Sequence, residues 1–314
     1  MSDNVKGAVF ALCGFAIFAI HDVLVRIVGG SFSPFQMLFF TSLLSFPLLT
    51  IVLVQDSTHG TMQPKHPWWV ALRSLVMVGA SICGFFAFAT LPLAQVYAIL
   101  FMVPLLVTLM SIPLLGEKVG AHRAAAILVG LAGVIVVVQP GSTQLGLGHL
   151  AAVLAAFGAA LQSVISRKVG NDERPVVMML FPLLAIFVTM GGSLAFVYEP
   201  MALIDIAGMA GIAVLGFIAT FCLVAAYRKG EAAIVAPMQY SQIIWATIYG
   251  SLLFKEQVTT SVLAGSALVI TSGLYIVARE AISGRSSNQP VTRTRSRGFA
   301  PGSLRVSTLL KWLK

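Results

Sequence analysis

Apolar residues run along this chain in ten long blocks, with polar residues largely confined to the stretches between them. The blocks cover roughly 7–28, 34–54, 68–90, 94–115, 122–138, 147–166, 175–198, 206–227, 232–254 and 261–278. A bilayer core about 30 Å thick needs about 20 apolar residues as helix. The pattern therefore predicts an all-α polytopic membrane protein with ten transmembrane helices. Most connections are short, which makes neighbouring helices antiparallel. A closed β-barrel would instead need alternating segments of about ten residues, and these runs are continuously apolar.

The blocks also repeat. His21-Asp-Val-Leu-Val-Arg-Ile-Val-Gly29 resembles Gln162-Ser-Val-Ile-Ser-Arg-Lys-Val-Gly170 at an offset of 141, and Pro34 and Met37 match Pro175 and Met178 in the same register. Further on, Ala94 matches Ala233 and Glu117 matches Glu256 at an offset of 139. Five spans per half is an odd number, so the second half enters the membrane from the opposite side. Two inverted five-helix repeats are the architecture of many secondary transporters, with substrate held near the midplane between the halves. The expected division is 1–140 for the first repeat, 141–280 for the second and 281–314 for a tail.

Composition agrees with a lipid solvent. Of 314 residues, 58% are hydrophobic and 10% charged, with mean hydropathy +0.94, against about 45–50% and about 25% in soluble domains. The net charge of +9 is distributed by side. With the N-terminus in the cytoplasm, Lys6, Lys65, Arg73, Lys118, Arg123, Arg167, Lys168, Arg174, Arg228 and Lys229 fall inside, and only Arg26 and Lys255 outside. That bias orients a protein of the cell inner membrane with both termini cytoplasmic. Residues 279–314 add eight basic residues and Glu280. Its Ser/Gly/Pro/Arg-rich part reads as disordered, and 303–314 reads as a surface helix on anionic lipid or a solvated end. Charge placed this way points to the bilayer as partner and not to nucleic acid. Lys6 alone precedes the first block and no small-residue cleavage site follows it, so the first span reads as a retained helix. Cys13, Cys83 and Cys222 lie inside apolar stretches, and their spacing suggests neither a metal site nor a disulfide framework.

Ionisable groups inside a span are costly and mark functional candidates. His21, Asp22 and Arg26 lie in the outer part of the first span. Asp22 and Arg26 are four apart, which suits an ion pair near the interface. The other reading has His21 or Asp22 facing a cavity and holding substrate or a coupled proton. Glu117 and Glu256 end the fourth and ninth spans at equivalent positions, as helix caps or proton carriers. In the ninth span, Pro237-Met-Gln-Tyr-Ser-Gln-Ile-Ile-Trp245 contains Gln239, and Met238, Gln242, Trp245 and Tyr249 share one helical face. Its counterpart offers Gln95, Tyr97, Phe101 and Pro104. Amides beside aromatic planes suit a planar uncharged or zwitterionic solute, whereas an aromatic belt with helix packing would use the same residues differently. Ala152, Ala156 and Ala160, like Ala151, Ala155 and Ala159, recur every four residues and read as packing stripes.

Leu115-Gly-Glu117 followed by Gly130 and Gly133, repeated as Phe254-Lys-Glu256 with Gly265 and Gly273, resembles the EamA-type branch of the drug/metabolite transporter superfamily over about residues 5–280. The resemblance implies ten helices, cytoplasmic termini and a central cavity lined by spans one, three, four, six, eight and nine. Many members carry an arginine in the second span, where this chain reads Phe39-Phe40-Thr41. Relatives of this type are associated with amino-acid and metabolite export, riboflavin uptake and S-adenosylmethionine uptake.

A secondary transporter of a small-molecule solute is the expectation, with a planar heteroaromatic metabolite such as riboflavin as substrate. Amino-acid or metabolite export and S-adenosylmethionine transport are the alternatives. A membrane enzyme fits less well, because His59, His66, His122 and His149 form no cluster and no nucleophile has a base beside it. No phosphate-binding loop occurs, and no cofactor or metal is implied. A homodimer stays open.

Overall fold

The computed structural model describes residues 3–55, 62–116, 120–139, 146–169, 172–229 and 235–282. Glu117 and the tail from 283 onward lie outside them. Among the described residues all regular structure is helical. The elements are α1 (Asp3–Gly29), α2 (Pro34–Gln55), α3 (Pro67–Thr90), α4 (Leu93–Leu100), α5 (Val103–Leu115), α6 (Ala121–Val138), α7 (Leu147–Val169), α8 (Pro175–Val197) and α9 (Leu203–Lys229), then a 3-10 segment (Ala236–Ser241), α10 (Gln242–Phe254) and α11 (Thr260–Ile282). They make ten spans, with α4 and α5 forming the fourth and the 3-10 segment with α10 forming the ninth.

Two spans, the fourth and the ninth, are broken. Pro104 sits in the first turn of α5 and has no N–H to give the Leu100 carbonyl, so the helix cannot run on through Phe101 and Met102. The Phe101 N–H bonds Tyr97 and the Met102 N–H bonds Ile99 before a fresh helix begins. In the ninth span Pro237 opens the tighter 3-10 turn that precedes α10. Adding 139 to Phe101 and Met102 gives Tyr240 and Ser241, the last residues of that turn. Both halves are therefore interrupted at the same repeat position, and interrupted spans are tolerated where backbone meets protein or a wet cavity.

Packing follows the repeat. α1 packs along α9 and α3 along α7, and these two pairings exchange when each span is replaced by its counterpart. α2 with α8, α6 with α11, and α4 with α10 each pair a span with its own counterpart. That is the contact pattern of two inverted five-helix repeats. Small residues permit the closest approaches. A Cβ on Gly133 would lie 2.8 Å from the Gly265 carbonyl oxygen, and one on Gly265 would lie 2.5 Å from the Gly133 oxygen. A Cβ on Gly158 would lie 2.7 Å from that of Ala80, and Ala152, Ala156 and Ala160 are fully buried, so the alanine stripes do serve packing.

The outer surface is apolar. Leu75, Leu128, Val188, Phe196, Leu203, Ile204 and Leu252 are among many large exposed hydrophobic side chains. Among the described residues, seven spans are long and apolar enough on their own to cross a membrane, and α6 and α11 add shorter apolar helices. The protein is a multi-pass membrane protein whose outer shell is wetted by lipid. α1 begins at one end of the bundle, the amino-terminal face, and finishes at the other, the far face.

Candidate functional site

A cavity of about 310 Å³ lies among α1, α2, α3, α8 and α9. That is the lower end of the range for small-molecule sites, about 300–1,000 Å³. It runs from mid-bundle toward the amino-terminal face, since its lining extends to Leu49 on α2, Arg73 on α3, Met178 on α8 and Phe221 on α9. Phe18, Phe85, Phe217 and Phe221 supply aromatic wall, and Thr41, Ser42, Ser45, Ser81 and Thr220 supply hydroxyls. Four of these hydroxyls bond a carbonyl of their own helix: Thr41 to Met37 at 2.8 Å, Ser42 to Phe39 at 2.8 Å, Ser45 to Thr41 at 2.7 Å and Thr220 to Gly216 at 2.8 Å. Their oxygens keep lone pairs that can accept a bond from a ligand. The spans that line this cavity are one, two, three, seven and eight, which differs from the set the resemblance implied.

His21 is the sequence-predicted candidate that reaches the cavity. Its ring is flanked edge-on by Phe18 and Phe85, with centroids 6.1 and 6.3 Å away. Room for it comes from Gly216, where a Cβ would lie 3.3 Å from the imidazole Cδ2. Behind it, His21 Nδ1 lies 2.7 Å from Asp22 Oδ1. Asp22 is 7% exposed, and its other oxygen accepts the Tyr97 hydroxyl. The Gln242 side chain faces the Tyr97 oxygen in turn. The fold thus gathers His21, Asp22, Tyr97 and Gln242 from spans one, four and nine into one polar chain.

The remaining candidates have other partners. Arg26 does not pair with Asp22. Its Nη2 lies 2.5 Å from Glu256 Oε1, and its Nη1 donates to the Leu91 carbonyl. Burial pushes the Glu256 carboxyl above its ordinary value, while Arg26 and the Leu93 N–H pull it back down. Gln95 Nε2 lies 2.9 Å from His149 Nε2. Gln239 lies beside the Tyr240 hydroxyl. The Trp245 indole stacks on Tyr249 at 6.3 Å and 21°. None of Gln95, Gln239, Gln242 or Trp245 is among the cavity's lining residues.

Arg73 was assigned by sequence to the cytoplasmic end of its span, and it lines the cavity at 1% exposure. Its Nε donates to Ser166 Oγ at 2.8 Å and its Nη1 to the Met178 carbonyl at 2.6 Å, which fixes α3 against α7 and α8. Sequence reasoning also passed over the hydroxyls of α2 and the rings of α9. Spacing carried a faint signal for them: Thr41 and Ser45 are four apart, as are Phe217 and Phe221.

Comparison with known proteins places this architecture. A crystal structure superposes with a TM-score of 0.61 at 18% identity, covering 90% of this chain and 100% of its own, a likeness of fold. An S-adenosylmethionine uptake transporter of Rickettsia bellii is 22% identical over 83% of this chain and 89% of its own length. A riboflavin transporter of Rhizobium johnstonii is 28% identical over 70% of this chain and 74% of its own. The EamA-like transporter family model matches twice, over residues 5–139 and 146–278. With both halves matched in a ten-span bundle of inverted repeats, the chain belongs to the EamA-like transporter family.

Proposed function

We propose that this protein is a secondary transporter that moves a small planar heteroaromatic metabolite of the riboflavin kind across the inner membrane by alternating access. The observation that carries this reading is the cavity wall: four phenylalanine rings, a row of hydroxyls, one histidine and the hydrogen-bonded Arg73, with no carboxylate among the lining residues. Rings offer stacking faces and hydroxyls offer hydrogen bonds to a flat polar heterocycle. S-adenosylmethionine is the second reading, favoured by the name of the Rickettsia bellii relative. Its sulfonium charge would enter a wall with no acid to match it, and an unmatched buried charge is costly.

His21 faces the cavity with Asp22 behind it, so this pair is our candidate for proton coupling, with Tyr97 and Gln242 holding Asp22 in place. Gln95, Gln239 and Trp245 are assigned to packing and positioning. The basic residues argue that the amino-terminal face is cytoplasmic, and a cavity extending toward that face corresponds to an inward-facing form.

Flavin flux into liposomes containing only this protein tests the reading. Catalysed flux competed by unlabelled riboflavin supports it, and flux of S-adenosylmethionine without flavin flux replaces it with the second reading. Orientation is tested by reporters active only in the periplasm. Fusions after residues 144, 202 or 257 should be active, and fusions after 120, 171 or 230 silent.

A further inference from the structure

The far end of α1 carries an arrangement that the substrate cavity does not use. Arg26 joins three separate parts of the bundle at one guanidinium. Nη1 donates to the carbonyl of Leu91, at the junction of α3 and α4. Nη2 lies 2.5 Å from Glu256, in the connection between α10 and α11. The group also sits 4.6 Å from the centre of the Phe254 ring at the end of α10. Glu256 extends the tie, because its other oxygen accepts the N–H of Leu93 at the start of α4, at 3.2 Å. The two side chains are 18% and 12% exposed, so both charges are largely desolvated and each depends on the other.

Position gives this cluster its meaning. His21 marks the cavity, and Arg26 lies five residues on, roughly 7.5 Å of helix rise toward the far face. The cavity extends the other way. An opening toward the far face that draws α1 away from α4 and α10 has to separate Arg26 from Glu256, Leu91 and Phe254 together. Resting on the transporter reading above, we propose that Arg26 is the hub of a charged latch that holds the far face shut and must release before the cavity opens on that side.

Removing the hub strands a carboxylate that burial already disfavours, and hydration through opening relieves it. The test uses the full chain with Cys13→Ser, Cys83→Ser and Cys222→Ser, and Ser81→Cys as a probe in the cavity wall. A membrane-impermeant maleimide is added from the far side of the membrane, and the labelling rate is read. Arg26→Ala should raise that rate roughly tenfold or more, the scale expected when one charge of a desolvated pair loses its partner. Arg26→Lys keeps a cation opposite Glu256 but gives up the second tie to Leu91, so its rate should fall between the parent and Arg26→Ala. The neutral pair Arg26→Gln with Glu256→Gln strands no charge and keeps the test open if Arg26→Ala fails to fold. It lacks the reach to Leu91 and should also label faster than the parent. Parent-rate labelling of the neutral pair, or a rise equal from both faces, overturns the latch. Labelling requires no substrate, so a negative flavin assay would leave its outcome standing.

Discussion

If a flat solute stacks in this cavity, Phe217→Ala is the substitution that exposes it. Phe217 lies on α9, faces the cavity and is only partly buried. Its neighbour Phe221 is 4.7 Å away, inclined at 56°. Full burial of a phenylalanine would make truncation cost about 3–5 kcal/mol of stability. Phe217 already borders open space, so the folding cost should fall below that range and well-folded protein should be recovered. The binding cost is separate. Stacking of a base on an aromatic side chain is worth about 1–3 kcal/mol, or roughly 5- to 150-fold in Kd. Phe217→Leu should recover little, because it restores apolar area without a flat face. Trp245→Ala is the matched control. That indole stacks on Tyr249 and is outside the cavity wall, so its loss should change flavin affinity by no more than roughly twofold. Calorimetric titration of each purified variant with riboflavin gives both numbers. Unchanged affinity in Phe217→Ala together with a large loss in Trp245→Ala would move the site to the ninth span and refute the cavity reading.

Much of the fold is legible in sequence because lipid imposes one rule on every span. An apolar run of about 20 residues has few alternatives to a spanning helix, so the ten spans and their repeat can be read directly. Pro237 signalled the irregular ninth span. Pro104 carried the same signal for the fourth, yet the apolar run hid the break at Phe101 and Met102. Side-chain partners were less legible. Asp22 and Arg26 sit at ion-pair spacing, but Arg26 turns to Glu256, which lies 230 residues away in sequence. No local pattern encodes a pairing that depends on how α1 meets the connection after α10. The cavity hydroxyls were hidden for another reason. Serine and threonine satisfy themselves on the preceding turn wherever they occur in an apolar helix, so sequence cannot separate those facing a cavity from those facing lipid.

Other outcomes follow from the same geometry. His21→Gln and Asp22→Asn should each abolish gradient-driven uptake while preserving substrate exchange, and retention of the parent pH profile in both would remove this pair from coupling. Gly265→Ala places a Cβ against backbone at Gly133, so α6 and α11 must separate. That overpacking should cost about 1–3 kcal/mol, seen as a lower unfolding temperature in detergent with binding stoichiometry unchanged.

The arrangement along α1 argues that these effects are mechanically joined. Phe18, Asp22 and Arg26 recur every four residues and lie along one stripe of the helix. Phe18 and the adjacent His21 border the cavity, Asp22 bonds Tyr97 on α4, and Arg26 closes on Glu256. A displacement of α1 large enough to part Arg26 from Glu256 acts one turn away on the Asp22–Tyr97 bond, because a helix moves as a stiff rod over that length. Release of the latch and exposure of the buried carboxylate would then occur in one movement. Occupancy of the cavity bears on the same helix through Phe18 and His21, which gives a solute leverage on both. Such coupling needs no long pathway, only three contacts within about nine residues of one helix, roughly 13 Å of rise.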